Sequence, residues 1–323
     1  MDPTRQAIDQ TLLLAGLAAY VVSALLLFGY FLLRAPLLRR IGMPLAALGC
    51  AAQFAELGTR WWMTGVWPLT NLYGSLSLFS AVGALVFLAF AYRYDLTFAG
   101  GFVMTVAAIA LTYGMTWNEG YMPAVPALQS YWIKIHVPIV ISAYASFMVS
   151  FCVSLIYLVK SACETHYRRR LAFASTSAGG AASASTAMSA FAASGIRNDT
   201  PAISAAATAG DASAQWLAGL PSLAKLDVLQ YRIIAVGLPL LSLGIITGAM
   251  WAKEAWGAYW QWDPKETAAL ASWIVYAIYL HLHTRPEWRG IRTACISVLG
   301  FGSIVFCYLG VNIWISGLHS YKM

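Results

Sequence analysis

Long apolar runs separated by short polar segments are the dominant pattern along the chain. A helix that crosses the hydrocarbon core of a bilayer needs about 20 mainly apolar residues, because the core is roughly 30 Å thick. Glu56 in the second run and glycines in the fourth make these two the weakest candidates. The pattern predicts an all-α polytopic membrane protein with about eight transmembrane helices. The eight runs are residues 9–33, 41–58, 74–92, 98–115, 135–160, 230–251, 267–283 and 292–315.

The composition of the 323 residues agrees with this interpretation. Hydrophobic residues make up 60% of the chain and charged residues only 10%, whereas soluble domains carry roughly a quarter charged residues. This excludes a soluble globular enzyme, a disordered chain and a nucleic-acid binder. The five cysteines show no CxxC spacing, so neither a disulfide framework nor a zinc site is indicated. No cleavage site follows the first run, which we therefore interpret as a retained helix.

The distribution of positive charge predicts the orientation. Loops after the odd-numbered helices hold 14 of the 20 Lys and Arg residues, and the opposite side holds six. Cytoplasmic loops carry the excess of Lys and Arg. We therefore expect both termini and the loop between the sixth and seventh helices to be periplasmic, in the inner (cytoplasmic) membrane of a bacterium.

One segment differs in composition from the rest. Residues 171–220 contain 18 Ala and 17 Ser, Thr or Gly, too little apolar area to offset the entropy of ordering. We therefore predict a flexible cytoplasmic linker over 162–222. It would separate five helices in 1–161 from three helices in 223–323, which include the tryptophan-rich loop 251–267.

That loop reads WAKEAWGAYWQWDPKET and holds four tryptophans within twelve positions, together with Tyr259. Tryptophan favours membrane interfaces, so an aromatic belt is the simplest interpretation. A dense aromatic loop also suits a flat, π-rich ligand that stacks on the rings. Asp263, Lys265 and Glu266 could contact such a ligand or only shape the loop, and Pro264 favours a fixed turn. The candidate binding residues are Trp251, Trp256, Tyr259, Trp260, Trp262 and Asp263.

Two histidines are expected on the same membrane face as this loop. His136 begins the fifth helix and His319 follows the eighth. Neutral imidazole is an axial ligand of haem iron, and two imidazoles can fill both axial positions. His281 is predicted about 21 Å below the loop, where an ionisable residue is a functional candidate. For His283 we expect a snorkelling role, and His166 in the linker is expected to be solvated.

The motifs around these residues resemble those of the CcsA (ResC) family of cytochrome c biogenesis proteins, the System II haem-handling proteins with a WWD domain. The resemblance covers nearly all of the chain except the Ala/Ser-rich segment. WDPKET combined with the terminal GLHSY is its most specific part. The matching stretches are WGAYWQWDPKET, WIVYAIYLH, CYLGVN and SGLHSY, with NLYGSLSLF from Asn71 and HVPIVISAYASF from His136.

The resemblance implies roles for three histidines. His136 and His319 match the external ligands of haem presented at the tryptophan loop, and His281 matches a ligand within the membrane. The second ligand of the membrane site would come from a CcsB (ResB)-type partner. The implied activity is haem transport and presentation for thioether attachment to a CxxCH apocytochrome c. The chain would then be the haem-handling subunit of a holocytochrome c synthetase, a haem lyase. It would bind haem b as substrate and depend indirectly on a thiol-reducing pathway.

Two alternatives remain. A System I-type haem exporter would load a separate chaperone without attaching haem, although the WDPKET and GLHSY motifs argue against it. A non-haem multi-span transporter would use its tryptophans only as an interfacial belt. A proton-coupled carrier would need a series of intramembrane carboxylates, of which Glu56 is the one plausible member. No residue of the chain is assigned a catalytic role as nucleophile or base.

Overall fold

In the computed structural model of the chain, which describes residues 3–118, 120, 126–177, 203 and 210–315, every long regular element is a helix. The all-α prediction is therefore confirmed over this part of the chain. Short 3-10 turns span Leu96–Ala99, Pro126–Gln129 and Pro286–Trp288, and a π-turn spans Phe306–Gly310. The α-helices are α1 (Pro3–Leu33), α2 (Pro36–Thr64), α3 (Leu72–Tyr94), α4 (Gly100–Met115), α5 (Tyr131–Ser177), α6 (Ala212–Gly219), α7 (Leu223–Trp256), α8 (Pro264–His283), α9 (Ile291–Val305) and α10 (Val311–Trp314).

All eight predicted apolar runs lie in these helices. Among the described residues, seven helical segments are long and apolar enough to cross a membrane, which confirms a multi-pass membrane protein. The remaining predicted span, 267–283, lies in α8, which is 20 residues long. The final span joins α9, the π-turn and α10 into one segment, Ile291–Trp314.

Helix ends follow the local sequence. Pro36 begins α2, where a proline ring suits the first helical turn. Gly65 ends the same helix in the left-handed conformation with φ of 65°, which glycine adopts without steric cost. The side chain of Asn71 accepts a hydrogen bond from the Gly74 backbone and caps α3. These signals divide the apolar runs into separate helices.

The centre of the fold is the long contact between α5 and α7, and α8 and α9 pack beside it. The rings of Phe147 and Tyr276 stack at 3.7 Å between centroids. Gly237 of α7 faces Phe147 so closely that a Cβ would lie 2.8 Å from the ring. On the other side, α3 contacts α5 and is flanked by α2 and α4. These contacts hold α5, α7 and α8 together near the middle of the bundle.

Helix α5 continues past the predicted end of its span. Lys160 pairs with Glu164 at 3.4 Å, and Glu164 pairs with Arg168 at 3.6 Å, both at helical spacing. The Tyr167 hydroxyl donates to Asp211 at 2.7 Å. Helix α5, which continues to Ser177, and α6 therefore occupy parts of the segment 162–222 for which we expect a flexible linker. Residues 178–202 and 204–209 lie outside the described residues, and the division into domains stays a prediction.

A buried polar cluster joins α2 to α3 near the expected outer face. The Glu56 carboxylate is fully buried and accepts three hydrogen bonds. The donors are Tyr73 Oη at 2.7 Å, Ser77 Oγ at 3.0 Å and Gln53 Nε2 at 2.9 Å. A buried carboxylate is tolerated when its oxygens are paired in this way.

Arg60 supplies positive charge to the same cluster. Its guanidinium lies 3.7 Å from Glu56 and 3.5 Å from Asp9 of α1. It also lies over the Tyr73 ring, 4.2 Å from the centroid. The cluster therefore clamps the outer ends of α1, α2 and α3, and Glu56 serves the packing of these helices.

Replacing Glu56 by Ala should destabilise the protein by about 3–5 kcal/mol, because Arg60 would remain buried with one carboxylate fewer. The measurement is thermal unfolding of the purified protein in detergent. Glu254→Ala, at an exposed position of α7, is the control and should leave the transition in place. Equal stability of the two variants would contradict the clamp.

Candidate functional site at the tryptophan-rich loop

The connection between α7 and α8 covers only residues 257–263 of the predicted loop 251–267, because Trp251 and Trp256 lie in the last turns of α7. Gly257 ends α7 with φ of 84°, and α8 begins at Pro264. The Asp263 side chain accepts from the Lys265 backbone N–H, and the Glu266 side chain accepts from the Asp263 backbone N–H, which is a capping box. The loop is therefore fixed at both ends by its own sequence.

The capping box gives Asp263 and Glu266 a structural role, one of the two roles considered for the polar residues of the loop. Asp263 is buried, with 6% of its surface exposed, and its carboxylate caps α8. Glu266 additionally accepts from the Gln261 backbone N–H at 2.9 Å. Lys265 turns inward, and its Nζ donates to Asn312 Oδ1 at 2.9 Å. All three residues shape the loop in this structure, and contact between Asp263 and a ligand stays a prediction.

The aromatic side chains of the predicted loop 251–267 differ in how far they are exposed. Trp251 is buried and meets Trp256 edge-on, with 4.7 Å between ring centroids. Trp260 and Trp262 also meet edge-on at 5.6 Å. Trp262 is 69% exposed and adopts φ of 57°, a left-handed value that is uncommon outside glycine. Tyr259 is exposed and lies near the Lys253 ammonium. Tyr259 and Trp262 are thus open to a ligand, whereas Trp251 is enclosed.

His136 lies beside Trp251, the buried tryptophan of this segment. Its imidazole stacks on Trp251 with centroids 6.2 Å apart and planes 17° apart. His136 Nδ1 lies 2.8 Å from the Gly244 carbonyl oxygen. A carbonyl oxygen only accepts, so Nδ1 carries the proton and Nε2 holds the lone pair. Histidines that bind metals have this arrangement, in which the other ring nitrogen donates to a carbonyl or carboxylate.

The space for the His136 ring depends on Gly248, one helical turn beyond Gly244 on α7. A Cβ at Gly248 would lie 2.7 Å from Cε1 and 3.0 Å from Nδ1 of His136. Sequence reasoning missed both glycines. Their four-residue spacing was the available signal, because small residues at this interval allow membrane helices to approach closely.

The two histidines in the last turn of α8 lie in different environments. His281 is exposed, whereas His283 is buried and lies 2.9 Å from Asp227 Oδ2. The His283 ring also stacks on Tyr231 at 4.6 Å and Tyr279 at 5.9 Å. The buried contacts contradict the snorkelling role expected for His283. Sequence reasoning missed it because its partner, Asp227, is 56 residues away.

Asp227 also holds the start of α9. Its Oδ1 accepts from the Gly290 backbone N–H at 3.1 Å and lies 3.4 Å from Thr293 Oγ1. Asp227 and His283 therefore form a clamp that joins α7, α8 and α9 at the end opposite the tryptophan loop. The clamp sets the position of α8, and with it the exposed face that carries His281.

The remaining predicted ligand, His319, lies outside the described residues. His166 is exposed on the extension of α5, in line with the solvated role expected for it. Within the described part of the chain, no three His, Cys, Asp or Glu side chains are grouped to hold a bare metal ion.

Comparison with known proteins identifies a family whose model matches most of this chain. The model of the family described as cytochrome C assembly protein matches residues 69–319. The cytochrome c biogenesis protein CcsA of Guillardia theta is 35% identical over 288 residues, covering 87% of this chain and 85% of the relative. CcsA of Gloeobacter violaceus is 35% identical over 319 residues, covering 94% and 93%.

A solved structure shares the fold. The cytochrome c haem lyase CcmF superimposes with a TM-score of 0.60 over 95% of this chain. The chain spans only 47% of that structure, and the sequence identity is 14%. The likeness therefore concerns the helical architecture alone.

The two α8 histidines provide a matched pair of variants. His283→Ala should lower stability by about 2–4 kcal/mol, because Asp227 loses its partner in a buried site. His281→Ala should leave stability within about 0.5 kcal/mol of the parent, because the side chain is exposed. Thermal unfolding in detergent compares them. A similar loss in both variants would show that the clamp does not hold the helices.

Proposed function

The chain belongs to the cytochrome c assembly protein family, and we propose that within cytochrome c biogenesis it binds haem at the tryptophan loop and presents it for attachment to apocytochrome c. One observation carries this proposal. His136 offers Nε2 as a ligand while Nδ1 is held by the Gly244 carbonyl and the ring rests on Trp251. An imidazole held in this way presents Nε2 as the lone pair that an axial ligand of haem iron needs.

Different residues at the loop would contact different parts of a bound flat macrocycle, its faces and its iron. Trp251 and Trp256 form the inner wall. The half-buried ring of Trp260 and the exposed rings of Trp262 and Tyr259 offer apolar faces on which a porphyrin can stack. His136 supplies one axial ligand and His319 the other. Exclusion of water around the iron favours the ferrous state, which the attachment step requires.

Attachment requires that the haem be positioned beside the thiols, and it requires no nucleophile from this chain. Each thiol of a CxxCH motif adds its sulfur and its hydrogen across one haem vinyl group, so a thioether forms with no leaving group. The chain holds the porphyrin edge toward the incoming peptide, so that less entropy is lost when a thiol and a vinyl group meet in a reactive geometry. This makes it the haem-handling subunit of a holocytochrome c synthetase, without a catalytic residue of its own.

Delivery to the loop is proposed to pass His281. Its side chain is exposed on α8, on a surface that a neighbouring membrane protein can contact. A CcsB (ResB)-type partner would supply the second ligand at this depth.

The orientation of the chain in the membrane follows from the distribution of positive charge. The tryptophan loop and both termini would face the periplasm of a bacterial inner membrane, and haem would arrive from the cytoplasmic side.

Covalent attachment is the direct test. The chain is co-expressed with its partner and a CxxCH apocytochrome in a bacterial host that lacks its own maturation system, and haem bound to the denatured cytochrome is stained on a gel. The parent should produce holocytochrome, and His136→Ala should lower the yield by about tenfold or more. His166→Ala is the control. Bound haem without any attachment would favour the exporter, and absence of both would favour an interfacial belt.

Gly248→Ala tests the orientation of His136 without removing it. The added methyl group would overlap the imidazole, break its contact with Gly244 and lower haem affinity by about tenfold. Haem bound per purified protein is measured by absorbance. Gly58→Ala is the control, because a Cβ there meets nothing within 4 Å. Unchanged haem content in Gly248→Ala would contradict the proposed ligand geometry.

A further inference from the structure

Two arginines at the expected inner end of the bundle contact the same tyrosine. The guanidinium carbon of Arg93, in the last turn of α3, lies 5.1 Å from the centroid of the Tyr94 ring. The guanidinium carbon of Arg232, on α7, lies 5.0 Å from the same centroid. Phe90 packs against Tyr94, with 5.5 Å between ring centroids, and supports the ring from α3. We call Arg93, Tyr94 and Arg232 the arginine–tyrosine cluster.

The positive charge of this cluster is not neutralised within the described part of the chain. Both arginine side chains are exposed, and neither forms an ion pair or a side-chain hydrogen bond with another described residue. Asp95, the carboxylate that follows α3, pairs with Arg39 at 3.1 Å. Two guanidinium groups beside one ring repel each other, and an anion between them offsets this repulsion. Their planar N–H donors match the oxygens of a phosphate group.

The depth of the cluster matches the boundary between the hydrocarbon core and the lipid headgroups. Arg93 follows directly on the apolar run 74–92. Arg232 precedes Trp251, near the outer end of α7, by 19 residues of the same helix. At the helical rise this separation is about 28 Å, and the hydrocarbon core is roughly 30 Å thick. Both guanidinium groups are therefore expected at the level of the phosphates of the inner leaflet.

A groove leads from the cluster into the expected membrane region. Helices α3 and α7 both pack on α5, but the contact between α3 and α7 themselves is slight. On α3, Ala89 is exposed one turn outward from Arg93. On α7, Val236 and Leu243 are exposed one and three turns outward from Arg232, on the same helix face. The space between the two helices is therefore bordered by apolar side chains that an acyl chain can contact.

We propose that the arginine–tyrosine cluster binds the phosphate of an anionic phospholipid of the inner leaflet, with the acyl chains in the groove between α3 and α7. Basic sites between membrane helices on the cytoplasmic side bind such headgroups. A zwitterionic lipid also carries a phosphate, but the two arginines repel its ammonium group. The bound lipid bridges two helices that are otherwise joined through α5. This site does not involve haem and goes beyond the proposed function.

A solvated role for the two arginines predicts a different result. A cation in the last turn of α3 is favoured by the helix dipole, and a long side chain such as Arg232 can extend its charge to water. Neither role depends on the charge of the lipid headgroup. The protein would then retain anionic and zwitterionic lipids equally, and replacing the arginines would not change their ratio.

The experiment uses the full chain purified in detergent with an equimolar mixture of phosphatidylglycerol and phosphatidylethanolamine, and native mass spectrometry counts the lipids retained. The parent should prefer phosphatidylglycerol by about tenfold or more. The double variant Arg93→Gln, Arg232→Gln should lower the preference to within about twofold. Arg40→Gln with Arg285→Gln removes the same charge from two exposed positions on the same expected face. This matched control should keep the preference of the parent.

Thermal unfolding provides a second measurement. Phosphatidylglycerol should raise the unfolding temperature of the parent and of the control, because a ligand that binds the folded state stabilises it. The double variant should unfold like the parent without added lipid and gain little when the lipid is added. If the double variant does not fold, Arg232→Gln alone serves as the test and should lower the preference by about threefold.

Three outcomes would overturn the inference. The first is a parent protein that retains the two lipids equally. The second is a folded arginine variant, double or single, that keeps the full preference for phosphatidylglycerol. The third is an equal loss in the Arg40→Gln, Arg285→Gln control, which would attribute the preference to the overall charge of the inner face.

Discussion

The close approach of α5 to α7 is the constraint on which the outer site depends. A Cβ at Gly244 would lie 2.5 Å from the Val140 side chain, and a Cβ at Gly248 would overlap His136. At this short separation the Gly244 carbonyl reaches His136 Nδ1, and the His136 ring reaches Trp251. A larger residue at either glycine would separate the helices and remove both contacts. The orientation of the ligand histidine is therefore a consequence of backbone packing.

The polar residues inside the bundle separate into two groups by how their atoms are paired. Glu56 is surrounded by hydrogen-bond donors, and His283 is bonded to Asp227 and stacked between tyrosines. Each joins three helices, one cluster near the expected outer face and the other near the expected inner face. His136 differs, because it pairs with a single backbone carbonyl, that of Gly244, and its ring stacks on Trp251. That pairing places it beside the tryptophan loop, where haem is proposed to bind.

Much of the fold could be predicted from the sequence, because the thickness of a bilayer fixes the length of an apolar run. The eight runs, including the weak ones at 41–58 and 98–115, all lie in helices. The aromatic loop and His136 were also accessible, since topology alone places them on one face. The role of His283 was not, because its partner Asp227 is distant in sequence. The link from Lys265 to Asn312 depends on a π-turn that leaves no periodic signal in an apolar segment.

The absorption spectrum of the reduced protein, purified with its partner after haem supply, tests the central claim most directly. It is compared with the spectra of His136→Ala, His319→Ala and His281→Ala. The account predicts a bis-histidine haem spectrum for the parent, weakened or shifted by either outer substitution and reduced in occupancy by His281→Ala. A parent protein that folds, receives haem and remains colourless would contradict the account, and the tryptophan loop would then be an interfacial belt.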